Sequence, residues 1–164
     1  MVAMMQGMGE LYSMLGFAAI HNLTTRQFLT SDNPVLWFDP SLQFDLQQPY
    51  TINPDGGPVF LVFPVSPKLA IVGSTEYKQT FVKHGLLHSD VVDEAWVGLI
   101  NAQICRFAYE AVIAQSSGYE EEIAKFSEIS PVHEAVALPM KKGIATIHRQ
   151  VFGPRVAKPK WRTV

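Results

Sequence analysis

Residues 58–73 read Pro58-Val59-Phe60-Leu61-Val62-Phe63-Pro64-Val65-Ser66-Pro67-Lys68-Leu69-Ala70-Ile71-Val72-Gly73. Two nearly continuous apolar runs, 59–63 and 69–72, flank a short link with a proline at each end. Runs of this length, rich in β-branched and aromatic residues and bounded by turn formers, predict strands buried on both faces or covered by helices. The four-residue link Pro64-Val65-Ser66-Pro67 is rigid and short, so an antiparallel hairpin is the simplest pairing. A sheet therefore lies at the centre of the chain.

Working outward towards the N-terminus, Ser31-Asp32-Asn33-Pro34 predicts a tight bend. Ser, Asp and Asn side chains bond nearby backbone, and Pro34 excludes the helical conformation at Asn33. Gln27 to Thr30 before it and Val35-Leu36-Trp37-Phe38 after it read as short strands. Residues 39–58 form a long connection rich in Pro and Gly, in which only residues 42–46 alternate like an edge strand. Residues 1–19 carry Met4, Met8, Leu11, Leu15 and Ala18 at helical spacing and predict an amphipathic helix, with five of the six methionines in the first 14 residues.

Towards the C-terminus, residues 74–89 are expected to be partly helical and partly loop. Asp90 with Asp93 has the form of a helix start, and Val92, Trp96, Leu99, Ile100, Ile104, Phe107, Ala108, Ala111 and Val112 hold the helical period to about residue 114. Ser117-x-x-Glu120 predicts a second, short helix through Phe126, and residues 132–138 and 144–148 are candidate late strands. The predicted class is α+β: a small, mainly antiparallel sheet packed by an N-terminal helix and a long central helix, followed by an extended basic tail.

The tail stands out in the charge distribution. The chain has 164 residues, 18.3 kDa, 48% hydrophobic residues and a formal net charge of −2, enough apolar material for one domain with a core. Residues 141–164 hold seven of the 13 bases and no acid, so the first 140 residues set the other six bases against all 15 acids, a net of −9. The expected division is a body, 1–140, and a tail, 141–164. Lys158, Lys160, Trp161 and Arg162, with the bases upstream, combine the residue types that contact phosphates and stack on bases, which makes the tail a candidate nucleic-acid contact. A terminus docked on the acidic body is the competing expectation. The apolar N-terminal helix is a candidate surface for association.

Several classes fall away. One cysteine, Cys105, cannot form an internal disulfide or anchor a cysteine-rich zinc site, which points to a reducing, cytoplasmic setting. Gly7, Gly9 and Glu10 interrupt the N-terminal apolar run, so no signal peptide, membrane anchor or membrane contact is expected. There is no Gly-rich phosphate loop, Rossmann fingerprint or Gly-x-Ser-x-Gly elbow.

Three blocks taken in order carry a resemblance: Phe28-Leu29-Thr30-Ser31-Asp32-Asn33-Pro34-Val35; Phe63-Pro64-Val65-Ser66-Pro67-Lys68 leading into Leu69-Ala70-Ile71-Val72; and Leu99-Ile100-Asn101 in a long helix ending near Arg106-Phe107-Ala108-Tyr109. Together they resemble the bacterial domain of unknown function 4238 family, over about residues 4–115. The resemblance implies a bacterial α+β domain and confers no reaction. Members of that family typically open with a histidine-tyrosine-valine-proline motif that this sequence lacks, so the chain is expected to correspond to the C-terminal part of a longer family protein.

The candidate chemistry centres on the bend. Asp32 and Asn33 sit where a strand end presents side chains at a sheet rim, and Lys68 would bring a positive charge near them if the two strands are neighbours. These three are the candidate catalytic residues. Asn101 and Arg106 are candidate binding residues on the central helix, on faces roughly 140° apart at about 100° per residue. The competing structural reading has Asp32 in an Asx turn and Asn101 satisfying backbone. A metal-dependent hydrolase acting on a phosphodiester or other small polar substrate would use Asp32 with Glu76 and Lys78, an acid followed by Glu-x-Lys. His84 and His88 have helical i,i+4 spacing, but Gly85 weakens the helix this requires, and loop histidines are the better expectation. Cys105 on an apolar helix reads as a core residue. No metal set or cofactor is assigned, and the first expectation is a structural or interaction role.

Overall fold

The computed structural model describes residues 9, 11–50, 57–140 and 143–154. Their order is β1 (Gly16–Asn22), β2 (Thr30–Ser31), β3 (Leu36–Phe38), a 3-10 turn (Phe44–Leu46), β4 (Phe60–Ser66), β5 (Leu69–Ser74), α1 (Lys78–His84), β6 (Leu87–Val91), α2 (Glu94–Phe107), β7 (Val112–Ile113), α3 (Glu120–Phe126), β8 (Ile129–Met140) and β9 (Gly143–Pro154).

The expected hairpin is present. β4 and β5 pair antiparallel, with Val62 opposite Val72 and a register irregularity between Pro64 and Ser66. They lie inside a five-stranded sheet of order β3-β4-β5-β1-β6, antiparallel except for the β1–β6 pair, so the class is α+β with a mainly antiparallel sheet. Period-two alternation distributes side chains between two cores. Leu36, Phe38, Val62, Ala70, Val72, Ala18 and Ile20 pack on one face against Val97, Ile100, Ile104 and Phe107 of α2. Val59 and Leu61 join Leu11 and Leu15 in a second cluster, with Phe17, Val35 and Trp37 against it.

The first expected helix needs correction. Residues 11–14 are helical, and residues 1–8 and 10 lie outside the described part. Residues 16–19, expected to continue the helix, begin β1, an interior strand paired to β5 on one side and β6 on the other. A strand covered on both faces has no polar stripe, so its apolar run is compatible with either period. Gly16 marks the true break: a Cβ there would lie 2.3 Å from the carbonyl of Tyr77.

Five other elements differ from expectation. Residues 42–46 form a 3-10 turn at Phe44–Leu46 rather than an edge strand. Residues 74–89 contain α1 and then β6. Asp90 lies in β6 opposite His21, and the N-cap of α2 is Asp93, whose Oδ1 accepts from the Ala95 N–H at 2.9 Å. α2 stops at Phe107, seven residues before the expected end. The short helix ends at Phe126 as expected, but it is entered from Tyr119, with the Glu120 carboxylate accepting from Gly118 N–H.

β8 and β9 extend the expected late strands into one antiparallel pair, with Ile129 opposite Pro154 at one end and Met140 opposite Gly143 at the other. The charge boundary after Met140 thus falls between the two strands, and Arg149 and Phe152 belong to β9. Lys141, Lys142, Arg155, Lys158, Lys160, Trp161 and Arg162 lie outside the described residues. No helix among the described residues is long and apolar enough to cross a membrane.

Candidate functional site

Asp32 and Asn33 do act together, and their partners are backbone groups at the exit of α2. Asp32 accepts from the N–H of Tyr109 at 3.0 Å through Oδ1 and from the N–H of Glu110 at 2.7 Å through Oδ2. Its own N–H donates to the Ala111 carbonyl at 3.1 Å. The Asn33 amide donates to the Phe107 carbonyl at 2.9 Å, and Ser31 Oγ closes the bend by accepting from Asn33 N–H at 3.1 Å. These contacts stop the helix. Once the N–H groups of Tyr109 and Glu110 turn to a carboxylate, they no longer reach back along α2, and Val112 and Ile113 are delivered into pairing with β2.

Tyr50 completes the cluster. Its phenol donates to Asn33 Oδ1, its ring stands edge-on to Trp37 at 4.5 Å, and its φ of 61° places a non-glycine residue in the left-handed region. Burial, with the nearby Tyr109 and Asp32 adding and the Asn33 hydrogen bond opposing, pushes the phenol up to about 12.

Lys68 goes elsewhere. Its ammonium donates to the Thr24 carbonyl, in a turn held by Asn22, whose amide donates to the Arg26 carbonyl at 2.7 Å and the Pro67 carbonyl at 3.3 Å. Asn101 is fully buried, accepting from Leu29 N–H and donating to the Gln27 carbonyl, each at 2.9 Å. It ties the strand leading to the bend onto α2. Glu76 lies between β5 and α1, where its N–H donates to Ser74 Oγ, and Lys78 opens α1. His84 ends α1, Gly85 follows with φ +77°, and His88 lies in β6 stacked on His21 at 5.9 Å, so the two histidines do not share a helical face. Among the described residues no group of three or more His, Cys, Asp and Glu side chains gathers as a metal centre. Cys105 is buried in the core, as expected.

Arg106 marks a different place. Only 2% exposed, it donates through Nη1 to the Phe44 carbonyl at 2.5 Å and to Gln103 Oε1 at 3.0 Å, and through Nη2 to the Asp45 carbonyl at 3.3 Å. Its guanidinium lies 4.5 Å over the Phe44 ring. Burial lowers its pKa from the ordinary arginine value, with Asp45 opposing. Gln103 in turn donates to Gln47 Oε1, and the Gln47 amide donates to the Leu42 carbonyl at 2.9 Å. This chain of hydrogen bonds pins the 42–47 segment beside α2.

Between that segment and α2 lies a hollow of about 330 Å³, with walls from Phe38, Phe44, Phe60, Trp96 and Leu99 and amides from Gln47 and Gln103. Leu99 is 58% exposed at its rim. A smaller cavity of about 250 Å³ lies where Phe28 and Thr30 meet Pro64 to Pro67 and residues 113–115. The hollow has no signal in any one stretch of sequence, because its aromatics come from β3, the 3-10 turn, β4 and α2. Its nearest sequence pointer is Arg106, three residues beyond Gln103.

The sequence model of a family described as "Protein of unknown function (DUF4238)" matches residues 1–118. The chain belongs to the DUF4238 family. The match contains all three resembling blocks, and the bend, the hairpin link and the Asn101 clamp therefore lie inside the DUF4238 region. That region ends at Gly118, ahead of α3 and the β8–β9 pair. Comparison with curated proteins and with solved structures finds no match.

Proposed function

We propose that this DUF4238 chain is a bacterial, cytoplasmic domain with a structural or interaction role, using its polar blocks as internal fasteners and its aromatic hollow as a contact surface. The observation that carries this reading is the engagement of both Asp32 carboxylate oxygens by backbone N–H groups of Tyr109 and Glu110. A carboxylate committed in this way fixes where a helix ends; as a metal ligand or general base it would have only the second lone pair of each oxygen to offer, with its orientation set by the helix exit. Lys68, the intended cationic partner, is spent on the Thr24 carbonyl. The lone cysteine agrees with a reducing compartment.

The test opposes this role to the metal-dependent hydrolase. The purified chain is incubated with a chromogenic phosphodiester and magnesium, manganese or zinc, in parallel with Asp32→Asn and Lys68→Ala. The interaction role predicts no turnover above the metal blank, and a lowered Tm in Asp32→Asn. Metal-dependent turnover that disappears in a normally folded Asp32→Asn variant would overturn it.

A further inference from the structure

We propose that the hollow between α2 and the 42–47 segment is a small-molecule site for a planar aromatic compound of one or two rings that carries a carbonyl oxygen at its edge. The proposal rests on the reading of that hollow as a contact surface and deepens it by naming the chemistry of what is held there.

The polar edge of the hollow has a direction, and Arg106 sets it. A guanidinium has donors only, so the Gln103 atom that meets its Nη1 at 3.0 Å is the amide oxygen. Gln103 Nε2 is thereby turned towards Gln47, which accepts through Oε1. Gln47 Nε2 is turned in its own right to the Leu42 carbonyl at 2.9 Å. Each amide nitrogen carries two hydrogens and uses one. The second N–H of Gln103 and that of Gln47 have no partner among the described residues, and both side chains line the hollow. Gln103 is only 2% exposed, so its spare donor is largely withheld from bulk water, a state that native proteins avoid unless something supplies an acceptor.

The walls give the size and shape of what would bring that acceptor. Phe38, Phe44, Phe60 and Trp96 face the space, and three of them are braced edge-on by rings that do not line it: Phe38 by Phe107 at 6.0 Å, Phe44 by Phe126 at 6.0 Å and Trp96 by Phe28 at 6.1 Å. Walls held from behind need no occupant to form them, as in most ligand pockets. The volume of about 330 Å³ is at the small end for such pockets and roughly twice the ~150 Å³ that encloses benzene. That fits one or two flat rings, which meet aromatic walls in offset or edge-on contact.

Other occupants of an aromatic hollow match less well. An alkylammonium brings donors to an edge whose unused groups are also donors, and the Phe44 ring already carries the Arg106 guanidinium at 4.5 Å. Among side chains of a partner protein, phenylalanine offers no acceptor and the tryptophan indole only a donor. An aromatic carbonyl compound satisfies walls and edge together.

The test sets 2-naphthamide against 2-naphthylmethylammonium, which has the same rings but only donors. Each is titrated into the full chain labelled with fluorotryptophan and followed by fluorine NMR. The protein has three tryptophans, Trp37, Trp96 and Trp161, and single Trp→Phe variants assign them. The amide should move the Trp96 resonance saturably, leave Trp37 in place and bind roughly tenfold more tightly than the ammonium, the scale of one good hydrogen bond. Gln103→Glu keeps an oxygen for Arg106 and removes the donor, so it should weaken the amide by a similar factor and favour the ammonium. Equal affinities for the two probes in the parent overturn the carbonyl assignment and leave the contact surface standing. Unchanged amide affinity in a Gln103→Glu variant with the parent's Tm overturns it as well; if that variant does not fold, the comparison of probes in the parent decides alone. If neither probe moves Trp96, the small-molecule site and the contact surface both fail.

Discussion

The bend at Asp32 and the hollow beside Trp96 invert each other. The bend is polar, sits at a sheet rim and has the residue types of a reactive cluster, yet its side chains are bonded to the backbone of residues 107–110. The hollow is built from residues that ordinarily fill cores, yet part of its rim is left exposed. The lesson is that residue type alone misleads in both directions: a polar group has a free role only after its hydrogen bonds are counted, and an apolar group is core only after its cover is found.

The strongest way to sharpen the contrast is Asn101→Ala, which strips the polar clamp at its most buried point. Leu29 N–H and the Gln27 carbonyl would both lose their partner inside the protein, and a loss of about 2–4 kcal/mol is expected from two buried backbone groups left unsatisfied. Urea unfolding should show a lower midpoint with an unchanged slope. Asp32→Ala comes next at about 1–2 kcal/mol, because its two charge-assisted bonds resemble a helix cap and the released N–H groups can reach water. Thermal unfolding near neutral pH measures it.

Tyr50→Phe should cost less at neutral pH, about 0.5–1 kcal/mol for one neutral hydrogen bond, but it has a signature in alkali. The folded phenol titrates at about 12 against an ordinary value of 10.0. Between these values the unfolded chain loses the proton first, so the stabilising contribution is complete below about pH 10 and disappears as pH rises to about 12. Denaturant midpoints across that window should fall more steeply for the parent than for Tyr50→Phe; equal slopes would remove Tyr50 from the clamp. The smallest stability effect belongs to the other side of the comparison. Leu99→Ser should change stability by no more than about 0.5 kcal/mol, and a loss of several times that would show that the rim of the hollow is core after all.

How much of this was legible beforehand depends on whether the deciding partner was close in sequence. The β4–β5 hairpin was readable because its strands and link are contiguous, and α2 because one helix carries its own period. The site of the Ser31-Asp32-Asn33-Pro34 bend was readable from local side-chain chemistry, whereas its partners at residues 107–110 are more than 70 residues away. A backbone-satisfying role for Asn101 is legible from its residue type, but its partners Leu29 and Gln27 are not. Lys68 follows the same rule: its position after a bend is legible, and the Thr24 carbonyl it meets belongs to another turn. β1 was hidden by its own burial, since Ala18, Ala19 and Ile20 are covered on an interior strand and leave no polar phase to reveal the period. The hollow needed four separate elements to exist at all.

Amide hydrogen exchange at Tyr109 and Glu110 tests the central claim most directly, because these are the two N–H groups that the Asp32 carboxylate holds. The fastener account predicts that both are protected in the parent and lose that protection in Asp32→Ala while the amides in the middle of α2 keep theirs. Amides that exchange freely in the parent, or that stay protected in the variant, would contradict it.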